Sequence, residues 1–202
     1  MSAMPSSPVD PFLLKLLTAA QRSIASIRNQ DPCDCNKFLT DAELLSLYLY
    51  TTEDANHSYR PINNALSANN WANTDLGVQI GHIDSALSCL SPYAGERYRT
   101  EEENGRIHTK AKRVLGLKNP PSADDVVEVF VEFFLSSSFD SALALRGKAV
   151  EIVITGVAAG RDITHLSQFT NESEILFRRN TRFLILEVES KPGSFLIYLG
   201  EI

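Results

Sequence analysis

Cysteine is scarce in this chain, and positive charge is in deficit. The three cysteines, Cys33, Cys35 and Cys89, are an odd number. An i, i+2 pair such as Cys33 and Cys35 is poorly placed for a mutual disulfide. No second pair and no histidine at ligand spacing accompanies it, so no metal site is expected. Free thiols in a reducing compartment are the simpler expectation. The four histidines are scattered without partners in pattern, which gives no case for a histidine-activated nucleophile. With 19 Lys and Arg against 25 Asp and Glu, the net charge of −6 argues against a nucleic-acid binder. No apolar run approaches the ~20 residues that span a bilayer, so no membrane span is expected. Met1 to Pro8 is rich in Ser and Pro and lacks a basic region with an apolar core, so no Sec-type signal peptide is expected. Gly156 and Gly160 do not form a dinucleotide-binding fingerprint, because the spacing is wrong and no helix opens there.

What is present is an ordinary globular composition. The 202 residues are 44% hydrophobic and 22% charged. A chain of this size buries roughly 70% of its unfolded surface, enough for a core without staples. The first half reads as helices. Asp10-Pro11 supplies an N-cap acceptor and a proline at the first helical position. Leu13, Leu16, Leu17, Ala20, Ile24 and Ile27 follow at helical spacing, which predicts a helix to about Asn29, with Asp31-Pro32 beyond it. Thr40 to Glu43 is a capping box opening a second helix whose apolar run, Leu44 to Leu49, predicts burial. Tyr50-Thr51-Thr52 leads to a short helix around Tyr59 to Leu66. A further helix is predicted from about Asp75 to Leu90, with His82 a structural or surface residue on it.

The second half reads mainly as strands. Ser91 to Gly95 is a turn cluster, followed by a short extended segment at Glu96 to Thr100. Glu101 to Arg113 has few apolar anchors and predicts a surface loop with a helical turn. Asn119 to Ser122 breaks the chain. Asp125 to Phe134 fits helix or strand by period; its β-branched and aromatic content favours strand, running into Ser136-Ser137-Ser138. Ala149 to Val157 predicts an apolar strand, and Ala158 to Asp162 a loop. Arg182 to Glu189 and Phe195 to Glu201 predict two strands joined through Lys191-Pro192-Gly193 and paired antiparallel.

One stretch carries chemistry: Ser167-Gln168-Phe169-Thr170-Asn171-Glu172-Ser173-Glu174, leading into Ile175-Leu176-Phe177. If Glu174 opens a strand, the period of two lets Glu172 share its face at the rim. Two carboxylates converging on one spot must be solvated or given different tasks. Such a pair can stabilise a cationic centre and take a proton from an incoming nucleophile. Taken alone, the stretch is equally a solvated acidic turn before an edge strand, and Ser136 to Ser138 a Ser-rich turn.

Tyr98-Arg99, Ser136-Ser137-Ser138 and Glu172-Ser173-Glu174 stand in the order found in one enzyme family. The chain resembles the mono-ADP-ribosyltransferases with an Arg, Ser-x-Ser and Glu-x-Glu signature. Tyr50-Thr51 and Ile62-Asn63 resemble the helical front of such domains, which sets Arg60 among the pre-catalytic helices and leaves Arg99 as the signature arginine. Where many members have Gly after that arginine, Thr100-Glu101-Glu102 follows here, and Ser137 replaces the usual Thr.

The resemblance implies an α+β fold: a helical N-terminal extension over residues 1–48, then a catalytic domain over 49–202 on a split, mostly antiparallel β-sandwich core. It implies NAD+ as substrate and no metal. Tyr98, Arg99, Ser136 and Ser138 would bind NAD+, with the Arg99 fork on phosphate. Ser136 would hydrogen-bond and orient Glu174, and Ser138 would help shape the nicotinamide pocket. Arg99, Ser136, Glu172 and Glu174 would be catalytic, with Glu174 on the ribose 2′-hydroxyl and Glu172 on the acceptor. Phe169 would recognise that acceptor, an arginine by the Glu-x-Glu pair. The implied setting is a toxin or effector delivered into a target cell, with a protein acceptor and an immunity protein or chaperone as partners. An NAD+ glycohydrolase and an inactive protein-binding module are the alternatives.

Overall fold

The computed structural model describes residues 10–30, 35–103, 105–116, 127–144, 149–156 and 159–202. Met1 to Pro8, the Asp31-Pro32 stop, Cys33, the Asn119 to Ser122 break, Asp125, and Val157 and Ala158 lie outside them. The chain divides into two compact units, one running to Cys89 and including Leu166–Gln168, the other Leu90–His165 with Phe169–Ile202.

The first unit is helical. α1 (Pro11–Ala20) is capped by Asp10, whose side chain accepts from Phe12 N at 2.9 Å. It stops earlier than its periodicity predicts. Gln21 is left-handed (φ 49°), and Ser23 accepts from Ser26 N at 3.1 Å to cap a separate α2 (Ile24–Arg28). The apolar spacing continues across the break, so periodicity alone hides it. α3 (Asp41–Tyr50) carries the predicted capping box, with Thr40 N donating to Glu43 Oε2 at 2.7 Å and Glu43 N to Thr40 Oγ1 at 3.3 Å. Every residue from Glu43 to Tyr50 is buried, as the apolar run predicts. α4 (Tyr59–Ser67) holds an exposed Arg60, and α5 (Asp75–Cys89) holds His82, which stacks on Phe12 at 5.7 Å. Ser85 on α5 donates to Glu43 Oε1, tying the cap of α3 to α5.

Among the described residues the second unit is a sheet with two α-helices. Its strands are β1 (Arg97–Glu101), β2 (Glu128–Val131), β3 (Leu135–Ser138), β4 (Val150–Thr155), β5 (Gly160–Asp162), β6 (Glu174–Phe177), β7 (Thr181–Lys191) and β8 (Ser194–Glu201). α6 (Arg106–Gly116) lies between β1 and β2, and α7 (Ser141–Ala144) between β3 and β4. The order is β2-β7-β8-β4-β1-β3-β6-β5. β4 and β8 run parallel, and the other named pairs are antiparallel. The β1–β3 junction has a single register pair, Tyr98 with Ser138, so the sheet is nearly split there. The α+β class and the mostly antiparallel, split sheet are as expected. The core joins Ile107 and Ala111 of α6 to Val129, Ile152, Ile154, Phe177, Phe183, Ile197 and Leu199.

Three local expectations are corrected. Residues 106–116 form a full helix rather than a surface loop with a single helical turn; Glu101 at the end of β1 turns back and accepts from His108 N at 2.9 Å. That carboxylate caps the helix N-terminus from five residues before it, outside the usual N-cap position. Among the described residues the Val- and Phe-rich run forms a strand over Glu128–Val131, and β3 begins afresh at Leu135 with a different neighbour. Gly160–Asp162 is a strand rather than loop, paired with β6 and bridged on its other edge by Pro92 to Arg161.

A candidate ADP-ribosyl transfer site

Pairing with its neighbours makes β1 a strand, and its residues differ sharply in burial. Arg97 is fully buried. Its guanidinium donates to Gly156 C=O through Nη1 at 2.6 Å and also through Nη2. It lies 3.7 Å from the Glu201 carboxylate and over the Phe177 ring. Burial pushes the Arg97 guanidinium below its ordinary pKa, and Glu201 opposes that shift. Arg99, two residues on, is half-buried. Where β1 and β3 part, its Nη1 donates to Ser136 C=O at 2.7 Å. Tyr98 is half-buried too, and its hydroxyl donates to Glu96 Oε2 at 2.6 Å, which holds the phenol above its usual pKa.

β3 sets the serines against β6 by register: Ser138 faces Glu174, Ser137 faces Ile175 and Ser136 faces Leu176. The period of two puts Ser136, Ser138 and Glu174 on one face. Ser136 is exposed, and its Oγ donates to Glu174 Oε1 at 2.7 Å. Glu174 is 8% exposed. A carboxylate drawn this far from water needs a donor to keep its charge. Arg99, Ser136 and Glu174 therefore form one continuous chain of contacts, through the carbonyl and then the hydroxyl of the same serine.

Ser138 makes its contacts with the neighbouring backbone. Its Oγ, in a buried residue, donates to Glu172 C=O at 2.9 Å and accepts from Asp140 N at 3.0 Å. Here it fastens the backbone of the Glu-x-Glu loop. Glu172 also departs from a simple strand. Ser173 is left-handed (φ 53°), so the alternation that would put Glu172 on the face of Glu174 stops at Glu174. Glu172 is exposed and Glu174 buried: one carboxylate is presented to solvent and the other held inside. Phe169 is 36% exposed, and its C=O accepts from Glu172 N at 3.0 Å, closing a tight turn between them.

Two residues outside the predicted set also touch the site's members. Phe139, 37% exposed, donates its N–H to Ser173 C=O at 3.1 Å and stacks on Tyr93 at 5.7 Å. Glu96 takes the Tyr98 hydroxyl. The i, i+2 spacing of Glu96 and Tyr98 was the available signal for that contact; nothing local announces the bond from Phe139. Among the described residues no group of three or more His, Cys, Asp or Glu could hold a metal ion. No helix among them is long and apolar enough to cross a membrane.

No protein-family model matches the chain. Over an alignment of 202 positions that takes in 95% of this chain, it is 26% identical to the NAD(+)--protein-arginine ADP-ribosyltransferase Tre1 of Serratia proteamaculans (strain 568). The chain spans 41% of that relative's length. In structure it is similar to the ADP-ribosyltransferase HopU1 of Pseudomonas syringae pv. Tomato DC3000, with a TM-score of 0.70 and 18% identity over 94% of this chain and 87% of that one. It is similar also to exoenzyme S of Pseudomonas aeruginosa, solved with human 14-3-3 protein beta and bound to Carba-NAD, with a TM-score of 0.68 and 17% identity over 94% and 86%. The resemblance first carried by the Arg, Ser-x-Ser and Glu-x-Glu residues therefore extends over nearly the whole chain: it has the fold of the bacterial ADP-ribosyltransferases and is related in sequence to one of them.

Proposed function

We propose that this chain is a mono-ADP-ribosyltransferase that moves ADP-ribose from NAD+ to a protein arginine. The observation that carries the reading is the Arg99–Ser136–Glu174 relay, with Ser136 Oγ 2.7 Å from Glu174 Oε1 and Glu172, two residues before Glu174, exposed. Tre1, named as an arginine-directed ADP-ribosyltransferase, supports the acceptor type.

In this reading Arg99 holds the NAD+ phosphates, and Tyr98 and Ser136 line the same site. Ser138 contributes by fixing the loop beneath it. The bond between ribose C1′ and the nicotinamide nitrogen breaks, and nicotinamide leaves as the neutral base with the bonding pair. The ribose develops oxocarbenium character, as in glycoside cleavage. Glu174 accepts a hydrogen bond from the ribose 2′-hydroxyl, and its negative charge offsets the developing positive charge. The acceptor nitrogen then adds to C1′ and gives up one proton, which the Glu172 carboxylate takes in this reading. Phe169 offers a flat apolar face to the guanidinium plane, where a cation is attracted to the ring. Residues 49–202 would form the catalytic domain and 1–48 its extension. The setting would be a toxin or effector acting inside a target cell, with an immunity protein or chaperone as a further partner.

The test is transfer of labelled ADP-ribose from NAD+ into lysate proteins by wild type, Glu174→Ala and Glu172→Ala. A discrete labelled band lost in both variants is the expected result. NAD+ cleavage without labelling, kept in Glu172→Ala, would replace the reading with an NAD+ glycohydrolase. No NAD+ consumption in bacterial or eukaryotic lysates would leave a protein-binding module.

A further inference from the structure

The step from Glu172 to Glu174 is taken through one residue, Ser173, at φ 53°. Among the described residues, the other non-glycines at positive φ are Gln21, Asn69, Asn73 and Asn180. Asparagine tolerates the left-handed region because its short polar side chain bonds locally. A serine there carries the ordinary cost of a Cβ close to the following carbonyl oxygen. Such a cost persists where the surroundings hold the conformation in place. Here the holding groups all belong to the sheet unit. Ser138 Oγ donates to Glu172 C=O at 2.9 Å, and Phe139 N donates to Ser173 C=O at 3.1 Å.

These two bonds lie on opposite sides of the Ser173 N–Cα bond. Rotation in φ carries the planar peptide that holds the Glu172 carbonyl and leaves the Ser173 carbonyl behind. A return from 53° to the ordinary negative range is a turn of about 110° or more. It would take Glu172 C=O away from Ser138 Oγ and re-aim the Glu172 side chain. Downstream, the chain is locked. Glu174 is registered on Ser138, takes the Ser136 hydroxyl at 2.7 Å, and accepts from Ile163 N through its own carbonyl at 3.0 Å. Upstream, Phe169 to Glu172 are exposed, so the displacement falls on them.

We propose that Ser173 is a positioning residue for the acceptor half of the reaction, acting through its backbone. Its left-handed turn holds the Glu172 carboxylate out toward solvent while Glu174 stays inside, and it touches no substrate. This rests on the transferase reading above. What matters is the φ that the residue permits, not its hydroxyl. A residue at home at positive φ preserves transfer. A β-branched residue, for which that region is a genuine outlier, releases its strain by swinging Glu172 away. Release of nicotinamide calls on Glu174 and not on Glu172, so transfer and hydrolysis separate.

The experiment measures both reactions of the full chain on NAD+, transfer to the arginine analogue agmatine and release of nicotinamide in its absence. The variants are Ser173→Gly, Ser173→Asn, Ser173→Thr and Ser173→Val. Ser173→Gly and Ser173→Asn should transfer within about twofold of wild type, since both residues accept positive φ. Ser173→Val should lower kcat/KM for agmatine by about five- to thirtyfold, the worth of one strained residue. Its nicotinamide release should stay within about twofold of wild type. Ser173→Thr should show the same split, which covers the case of a Ser173→Val that does not fold. Threonine keeps the hydroxyl and glycine lacks it, so an active Ser173→Thr beside an inactive Ser173→Gly would assign the role to the hydroxyl and overturn the proposal. Equal loss of both reactions in the β-branched variants would reduce Ser173 to general stability and overturn it, as would unchanged transfer. If wild type itself transfers nothing, the transferase reading fails and takes this inference with it.

Discussion

Ser136→Ala isolates the contact on which the site depends. Ser136 Oγ donates to Glu174 Oε1 at 2.7 Å, while Glu174 is 8% exposed and Ser136 itself is exposed. The substitution therefore removes a donor from a nearly buried carboxylate and deletes little packing. Hydrogen bonds to charged groups are worth about 1.5–3 kcal/mol. If that energy serves to aim Glu174 at the ribose, kcat for nicotinamide release falls by about 10- to 100-fold. The Arg99 bond is to the carbonyl of Ser136, so it survives the change. The assay is release of labelled nicotinamide from NAD+, in Ser136→Ala, Glu174→Gln and the double variant. A serine that acts only through Glu174 makes the double variant no slower than Glu174→Gln alone. Multiplying effects would refute the relay and give Ser136 its own contact with NAD+. An unchanged rate in Ser136→Ala would refute the importance of the bond altogether.

Further expectations concern the frame around the site. Glu201→Ala strips the carboxylate from Arg97, both groups being fully or almost fully buried, and should cost about 3–5 kcal/mol, read as a lower urea midpoint. Gly156→Ala should also destabilise, by more than about 1 kcal/mol, since Gly156 has φ +118° and an added Cβ would lie 2.5 Å from Glu201 Cβ. Burial pushes the Glu43 carboxyl up, but bonds from Ser85 and Thr40 outweigh it and hold its pKa below the ordinary 4.5. Its contribution to stability is thus complete above that value and is lost as pH falls through the lower folded value. Thermal melting between neutral pH and pH ~3 should show an acid decline that is smaller in Glu43→Gln. Arg99→Lys keeps the charge but loses the planar fork, and should raise KM for NAD+ more than it lowers melting temperature.

Elements whose signals are local were legible from composition and spacing. Asp10-Pro11 and the Thr40–Glu43 capping box mark helix starts because cap and helix lie within one turn. The apolar run at 150–154 marks β4, and Lys191-Pro192-Gly193 marks the β7–β8 hairpin, with Gly193 at φ 77°. The order of the Arg, Ser and Glu residues pointed to the chemistry only through the resemblance to a known family, since each motif taken alone reads as an ordinary turn or strand edge.

What the sequence determined by itself was the set of parts: capped helices, apolar strands, and the order of the arginine, serine and glutamate residues. Tertiary structure decided how the parts meet. α6 exists as a helix because Glu101 folds back from β1 to cap it. β5 is a strand because β6 and Pro92 pair with its two edges. Ser173 turns left-handed and separates an exposed Glu172 from a buried Glu174. Ser138 fastens the loop, and Thr51 meets Gln168 across 117 positions. For the bonds between distant segments the physical reason is shared: such a bond leaves no periodic trace in either segment, and its partner exists only once the chain has folded.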